Sequence, residues 1–263
     1  MKKIDTSLGL ANLQFSEISS SITIWNSYSK ILLRHSPSIL GAIYDSQSRL
    51  DITNALKEKS VSGDIFHRSM FIQAYSIFEF YIKAVTTEII DTISFGKEKY
   101  SCFDQKFRDT HLVLTAKVLS HLKSGSVNGI PHNFATTTKN LGDCLLNLEP
   151  FELNKEVFTL LMGNCTPERI DALFKNLNLP CPFDEKSSSL GRHNGLQKHF
   201  ASGKTAENTR QTTQKLKEMI DKRNDMVHGN ITSTITLNEL EETVEFTKFL
   251  VEALNDHICQ NIK

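Results

Sequence analysis

Arg223, Asn224 and His228 stand in one short segment, Arg-Asn-Asp-Met-Val-His-Gly at 223–229. A guanidinium grips phosphate or carboxylate oxygens through parallel N–H donors, and an imidazole moves protons near neutral pH. On a helix expected over 207 to 228, Leu216, Met219, Ile220, Met226 and Val227 gather on one stripe, with Arg223 in its middle. A charge on an apolar stripe is costly unless it is paired or faces a polar site. Asn224 and His228, one turn apart, are neighbours along the edge of that stripe. Gly229 is expected to end the helix in the left-handed conformation, which leaves His228 in the last turn beside unpaired carbonyls. Such spacing brings an Arg, an Asn and a proton-transferring His near one place, on or beside the buried face. The same letters also allow a plainer arrangement, a capping His228 and an Arg223 in an internal salt bridge.

Other candidates are fewer. Glu79 lies on a helix expected over 64 to 95, where it either backs Arg223 or His228 or pairs with Lys83 one turn on. The stretch 178–206 opens with Pro180-Cys-Pro182 and turns rich in Ser, Gly, His and Lys. From 186 to 206 it carries Lys186, Arg192, Lys198 and Lys204 with no acidic residue. It reads as a long basic loop or insertion, either a grip on a nucleic-acid backbone or a solvated, mobile loop. Arg192 and His199 make a second Arg/His pair, but inside that Gly-containing loop. The remaining histidines show no metal-ligand spacing, and the five cysteines include no Cys-x-x-Cys pair. Neither a metal site, a disulfide framework nor another cofactor is therefore expected. There is no Gly-rich phosphate loop and no Ser or Cys nucleophile constellation.

The elements that must position these residues read as helices. The expected spans are 15–34, 38–60, 64–95, 105–124, 132–148, 152–162, 167–177, 207–228 and 236–260, with no period-two alternation and so an all-α fold. The chain of 263 residues can bury a sizeable core and is read as a single domain over 1–263, with N-terminal helices over 1–60. In the 64–95 helix, Met70, Phe71, Ala74, Phe78, Tyr81, Ile82, Val85 and Ile89 form a broad apolar face. Phe80 interrupts the opposite side, which suggests a second contact with another helix or another subunit. The last helix puts Leu237, Leu240, Val244, Thr247, Val251, Leu254 and Ile258 inward, with Glu241, Glu242, Glu245, Lys248 and Glu252 outward. Thr236 and Glu239 have the spacing of a capping box at its start. With 30 basic and 30 acidic residues the net charge is zero, so any nucleic-acid contact must come from a local patch. No apolar run approaches the ~20 residues of a membrane helix and the N-terminus has no signal-like core, so no membrane contact and a cytoplasmic location are expected. Asn164-Cys-Thr and Asn230-Ile-Thr match a glycosylation pattern without a secretory context.

The segment 223–228 resembles the signature of HEPN-domain ribonucleases, among them the RiboL-PSP and related bacterial families. The shared form is an Arg, four residues and a His, with a polar residue directly after the Arg. In those families it lies near the end of a helix, often followed by Gly, with one more long helix behind it. Met70-Phe-Ile-Gln-Ala-Tyr-Ser-Ile-Phe-Glu79-Phe-Tyr-Ile-Lys83 is similar to their early core helix with an embedded Glu, and Thr166 to Leu179 to their short helix with an aliphatic turn. The resemblance reaches from about 64 to 258 and leaves out the first 60 residues and the 180–206 loop. It implies a helical bundle of HEPN type with additional helices and one long loop insertion. It also implies a homodimer, with two Arg/His sets facing one cleft, that cleaves RNA without metal through the ribose 2′-OH and leaves 2′,3′-cyclic phosphate ends. In that reaction His228 removes or relays the proton, Arg223 holds the phosphate, and Asn224 orients the histidine or a phosphate oxygen. A toxin or antiviral defence role follows by analogy, with room for a neutralising or regulatory protein partner. Two other functions stay open: an inactive HEPN-like module that dimerises or senses a nucleotide, and a helical adaptor in which the motif is accidental.

Overall fold

The computed structural model describes residues 6–34, 46–124, 134–185, 189–229 and 234–262, with side chains described for 6–27, 47 and from 63 onward within those ranges. The described elements are all helical: α1 (Thr6–Arg34), α2 (Ser46–Ser94), α3 (Gln105–Ser124), α4 (Phe134–Leu145), α5 (Val157–Leu160), α6 (Pro167–Asn176), α7 (Asn194–His199), α8 (Thr205–Val227) and α9 (Leu237–Asn261), with short 3₁₀ turns at Tyr100–Cys102 and Leu190–Arg192. No strand occurs among the described residues, as the missing period-two pattern required.

The centre is built by α1, α2 and α9, which pack on one another. Ala11, Phe15, Ile18 and Ile22 recur at spacings of three and four on α1 and are buried. The start of α1 is tied to the far part of α2 where Ser7 donates from both N and Oγ to Glu88 Oε1, at 2.9 and 2.8 Å. Further along, Trp25 stacks on Phe66 with ring centroids 4.8 Å apart. The two helices therefore run antiparallel. Helix α1 begins nine residues earlier than periodicity suggested, because the small buried Ser7 and Ala11 extend the stripe without looking hydrophobic.

Two expected helices, 38–60 and 64–95, are one element from 46 onward, while 38–45 lies outside the described residues. Gly63 falls inside the helix with Trp25 packed across it, so the roughly 1 kcal/mol penalty of an interior glycine is absorbed. Helix α9 starts at the predicted cap: Thr236 Oγ1 accepts from Glu239 N at 3.2 Å, and Glu239 Oε2 accepts from Thr236 N at 2.9 Å. Leu240, Val244, Thr247, Val251, Leu254 and Ile258 are buried as expected and Leu237 is half-buried, while Phe246, Leu250, Ala253 and His257 are buried as well. The reason is that α1 and α2 cover one side of α9 while α7 and the 190–192 turn cover another.

That second cover replaces the expected long loop. Leu190 and Leu196 are fully buried. A Cβ at Gly191 would collide with the backbone of Thr205, and one at Gly195 with the Phe249 ring. Asn208 Nδ2 donates to the carbonyls of Gly191 and Ser202, each at 3.0 Å. Glycines that suggest flexibility in the sequence are here points of close approach. Lys186 lies outside the described residues.

Candidate active site

Helix α8 presents the motif at its C-terminal end. It packs on α2, α6, α7 and the 190–192 turn. Gly229 adopts φ 82°, the left-handed stop that the sequence suggested. The His228 N–H bonds the Asn224 carbonyl at 2.9 Å. Leu216, Met219, Ile220 and Met226 are buried, but Val227, on the same stripe, is 50% exposed. The stripe thus outruns the core at its last turn, and Arg223 sits half-buried at the margin.

The Arg223 guanidinium carbon lies 5.5 Å from the centroid of the Tyr75 ring. Its Nη1 donates to Asn224 Oδ1 at 3.2 Å. Its Nε is buried without a hydrogen-bond partner. Among the described residues no carboxylate pairs with it, so the internal salt bridge is not what accounts for this charge. Asn224 Oδ1 also accepts from Asn164 Nδ2 at 3.2 Å. The amide oxygen of Asn224 therefore faces Arg223 and Asn164 rather than the His228 ring, and its N–H donors are the groups left for an anion. His228 is exposed.

Three residues of this site were not singled out for it from the sequence: Tyr75, Asn164 and Arg169. The Tyr75 hydroxyl accepts from Cys165 N at 3.1 Å. Burial, then the nearby Glu79 carboxylate, pushes the phenol far above its ordinary range. Glu79 thus stands behind Tyr75, one turn along α2, and no ion pair joins it to Lys83 or Arg223 among the described residues. The Asn164 carbonyl accepts from Arg169 Nη1 at 3.3 Å. Burial, then Glu79, raises the Cys165 thiol to about 12, while Lys83 and Arg169 pull the other way. At neutral pH Cys165 is a thiol and not a nucleophile. The only sequence-level hint was the one-turn spacing of Tyr75 and Glu79. The contacts that tie Asn164 to Asn224 and Cys165 to Tyr75 join residues 60 and 90 positions apart, and Arg169 reaches the site through Asn164, five residues away.

The basic residues of the former loop lie elsewhere. Arg192, Lys198 and Lys204 are exposed. Lys204 stands directly before the first residue of α8 without a side-chain capping bond, so along the helix it is about 28 Å from Arg223 at 1.5 Å per residue. His199 is turned inward, facing Glu242 at 3.9 Å and Glu245 at 3.5 Å, and its ring lies against Phe200 and Phe246. It makes no site with Arg192. No three His, Cys, Asp or Glu side chains among the described residues converge as metal ligands, and no described helix is long and apolar enough to cross a membrane.

Neither a curated protein nor a solved structure matches the chain. A family model does, over residues 42–260, which takes in Tyr75, Glu79, Asn164, Arg169 and the whole 223–228 motif. The all-helical fold agrees with it. The match extends the region of resemblance about twenty residues towards the N-terminus and includes the 180–206 stretch. By this match the chain belongs to the RiboL-PSP-HEPN family.

Proposed function

We propose that the chain is a metal-independent endoribonuclease whose centre is Arg223, Asn224 and His228. The observation that carries this reading is the Arg223 guanidinium. It is half-buried, braced on Tyr75 and Asn224, and unpaired with any described carboxylate. A preorganised cation of this kind is suited to the charge that builds on phosphate oxygens in a transition state. Family membership supports a ribonuclease or nucleotide-related activity. In the reaction we assign, the ribose 2′-oxygen attacks the adjacent phosphorus and the bond to the 5′-oxygen breaks. His228 takes or relays the 2′-OH proton, and the 5′-oxygen leaves protonated. The products are a 2′,3′-cyclic phosphate and a 5′-hydroxyl.

We place the cleft between two copies of the chain. Five residues of helix separate Arg223 and His228 by about 140° around the axis and about 7.5 Å along it, so one chain does not close a pocket around both. Val227 and Phe80 are 50% and 46% exposed, apolar surface that a second copy would cover. By analogy with the family, the biological setting we assign is a toxin or defence effector held in check by a partner.

The test uses end-labelled RNA in EDTA. Wild type should cut and leave cyclic phosphate ends. Arg223→Ala and His228→Ala, with unchanged helicity, should each lose at least about a hundredfold in rate, as expected on removing a proton-transfer group or a charge stabiliser. Equal cutting by the variants, or activity abolished by EDTA, would refute the assignment. Growth arrest on expression, relieved by His228→Ala, tests the toxin setting.

A further inference from the structure

The turn that leads into α6 does more than connect helices. From it, Cys165 N holds the Tyr75 hydroxyl, Asn164 Nδ2 holds Asn224 Oδ1, and the Asn164 carbonyl holds Arg169 Nη1. One short segment thus braces both supports of Arg223 and a second guanidinium with them. Gly163 makes room for it. Its φ is 62°, and a Cβ there would stand 2.6 Å from Arg169 Nη1. Arg169 is exposed, uses one of its donors on Asn164, and pairs with no carboxylate among the described residues. The neighbouring Glu168 is already taken by Lys217 at 2.5 Å. Two guanidinium groups without acidic partners therefore flank a single asparagine pair, Asn164 and Asn224.

We propose that Arg169 is a second phosphate-binding residue of this site, held beside Arg223 by the Gly163–Asn164 turn so that the two arginines take neighbouring phosphates of one RNA strand. This rests on the ribonuclease reading above and adds to it a binding position outside the Arg/His motif. A lone phosphate needs one guanidinium. A polynucleotide offers a phosphate at every residue, and two fixed cations favour it over a mononucleotide.

The test measures binding apart from cleavage. In the His228→Ala background, a fluorescently labelled single-stranded RNA is titrated over a series of salt concentrations, with and without Arg169→Ala or Arg169→Lys. Loss of one phosphate contact should weaken binding roughly tenfold, the size of one charge-assisted hydrogen bond. It should also lower the slope of log K against log salt by about 0.7. Arg169→Lys should keep the slope, since the charge remains. Unchanged affinity and slope in Arg169→Ala, or weaker binding at an unchanged slope, would overturn the proposal. If the His228→Ala parent itself binds no RNA, the ribonuclease reading falls first, so the two failures are distinct.

Discussion

At the scale of single residues, the Tyr75 ring decides where the Arg223 charge can be. A cation over an aromatic face gains about 0.5 to 2 kcal/mol as water is excluded, and Asn224 fixes the guanidinium from one side. Tyr75→Leu should therefore lower kcat for RNA cleavage by roughly tenfold, one decade per 1.4 kcal/mol. Tyr75→Phe keeps the ring and loses the hydroxyl, with its bond from Cys165 N and its interaction with Glu79. It should keep most of the activity and lose about 1 kcal/mol of stability. Kinetics and thermal melts of both variants separate the two roles, and equal activity in the two would show that the ring does not matter. The motif itself was legible because Arg, Asn, His and Gly are close in sequence and the helix period places them. Tyr75 and Asn164 were not, because what matters about them is a contact across 60 to 90 residues that no local spacing encodes, and Arg169, five residues from Asn164, enters the site only through that asparagine.

At the scale of elements, the buried histidines tie helices to the segments between them. His111 of α3 accepts from Asn154 N at Nε2, 3.2 Å away, and meets the Tyr100 hydroxyl at Nδ1, 3.0 Å away. Tyr100 in turn donates to the Arg108 carbonyl at 3.1 Å. This pattern needs a neutral ring, and burial lowers its pKa to about 4 from 6.5. His257 on α9, between Ser189 Oγ and the Pro180 carbonyl, is lowered by burial too, against the pull of that carbonyl. Because the unfolded chain binds these protons more readily, the stability they contribute is complete above about pH 6.5 and is lost as pH falls below it, for His111 down to about 4. For His111 alone the loss approaches about 3 kcal/mol. Denaturant midpoints should fall over that window, and His111→Gln should flatten the fall even though it lowers stability at pH 7. An equal pH slope in the variant would exclude His111 as its source. Helix ends were legible where a cap is a local pattern, as at Thr236 and Gly229. The folded 189–204 segment was not, since Gly191 and Gly195 read as flexible until the surfaces of Thr205 and Phe249 are in place.

At the scale of the whole molecule, the placement of the site at a helix end that outruns the core sets a test of assembly. If the cleft draws on both copies, mixing Arg223→Ala with His228→Ala should restore part of the wild-type cleavage, because a mixed dimer holds one intact Arg and one intact His. No recovery at any ratio would put the whole site within one chain. Activity per molecule should also fall on dilution as the pair separates. The all-α architecture followed from periodicity alone, and Phe80 already stood out on the polar side of its helix, whereas Val227 reads as a core residue of its stripe and only the structure shows it exposed. The seam between α1 and α2 carries an optical consequence of its own. Trp25 is the single tryptophan of the chain, and it stacks on Phe66 while α1 itself lies outside the region that the family model matches. Emission excited selectively at tryptophan therefore watches the seam of this helix with α2. Compared with far-ultraviolet dichroism across a melt, this emission shows whether the extra N-terminal helix peels away before the family-matched body unfolds or goes with it.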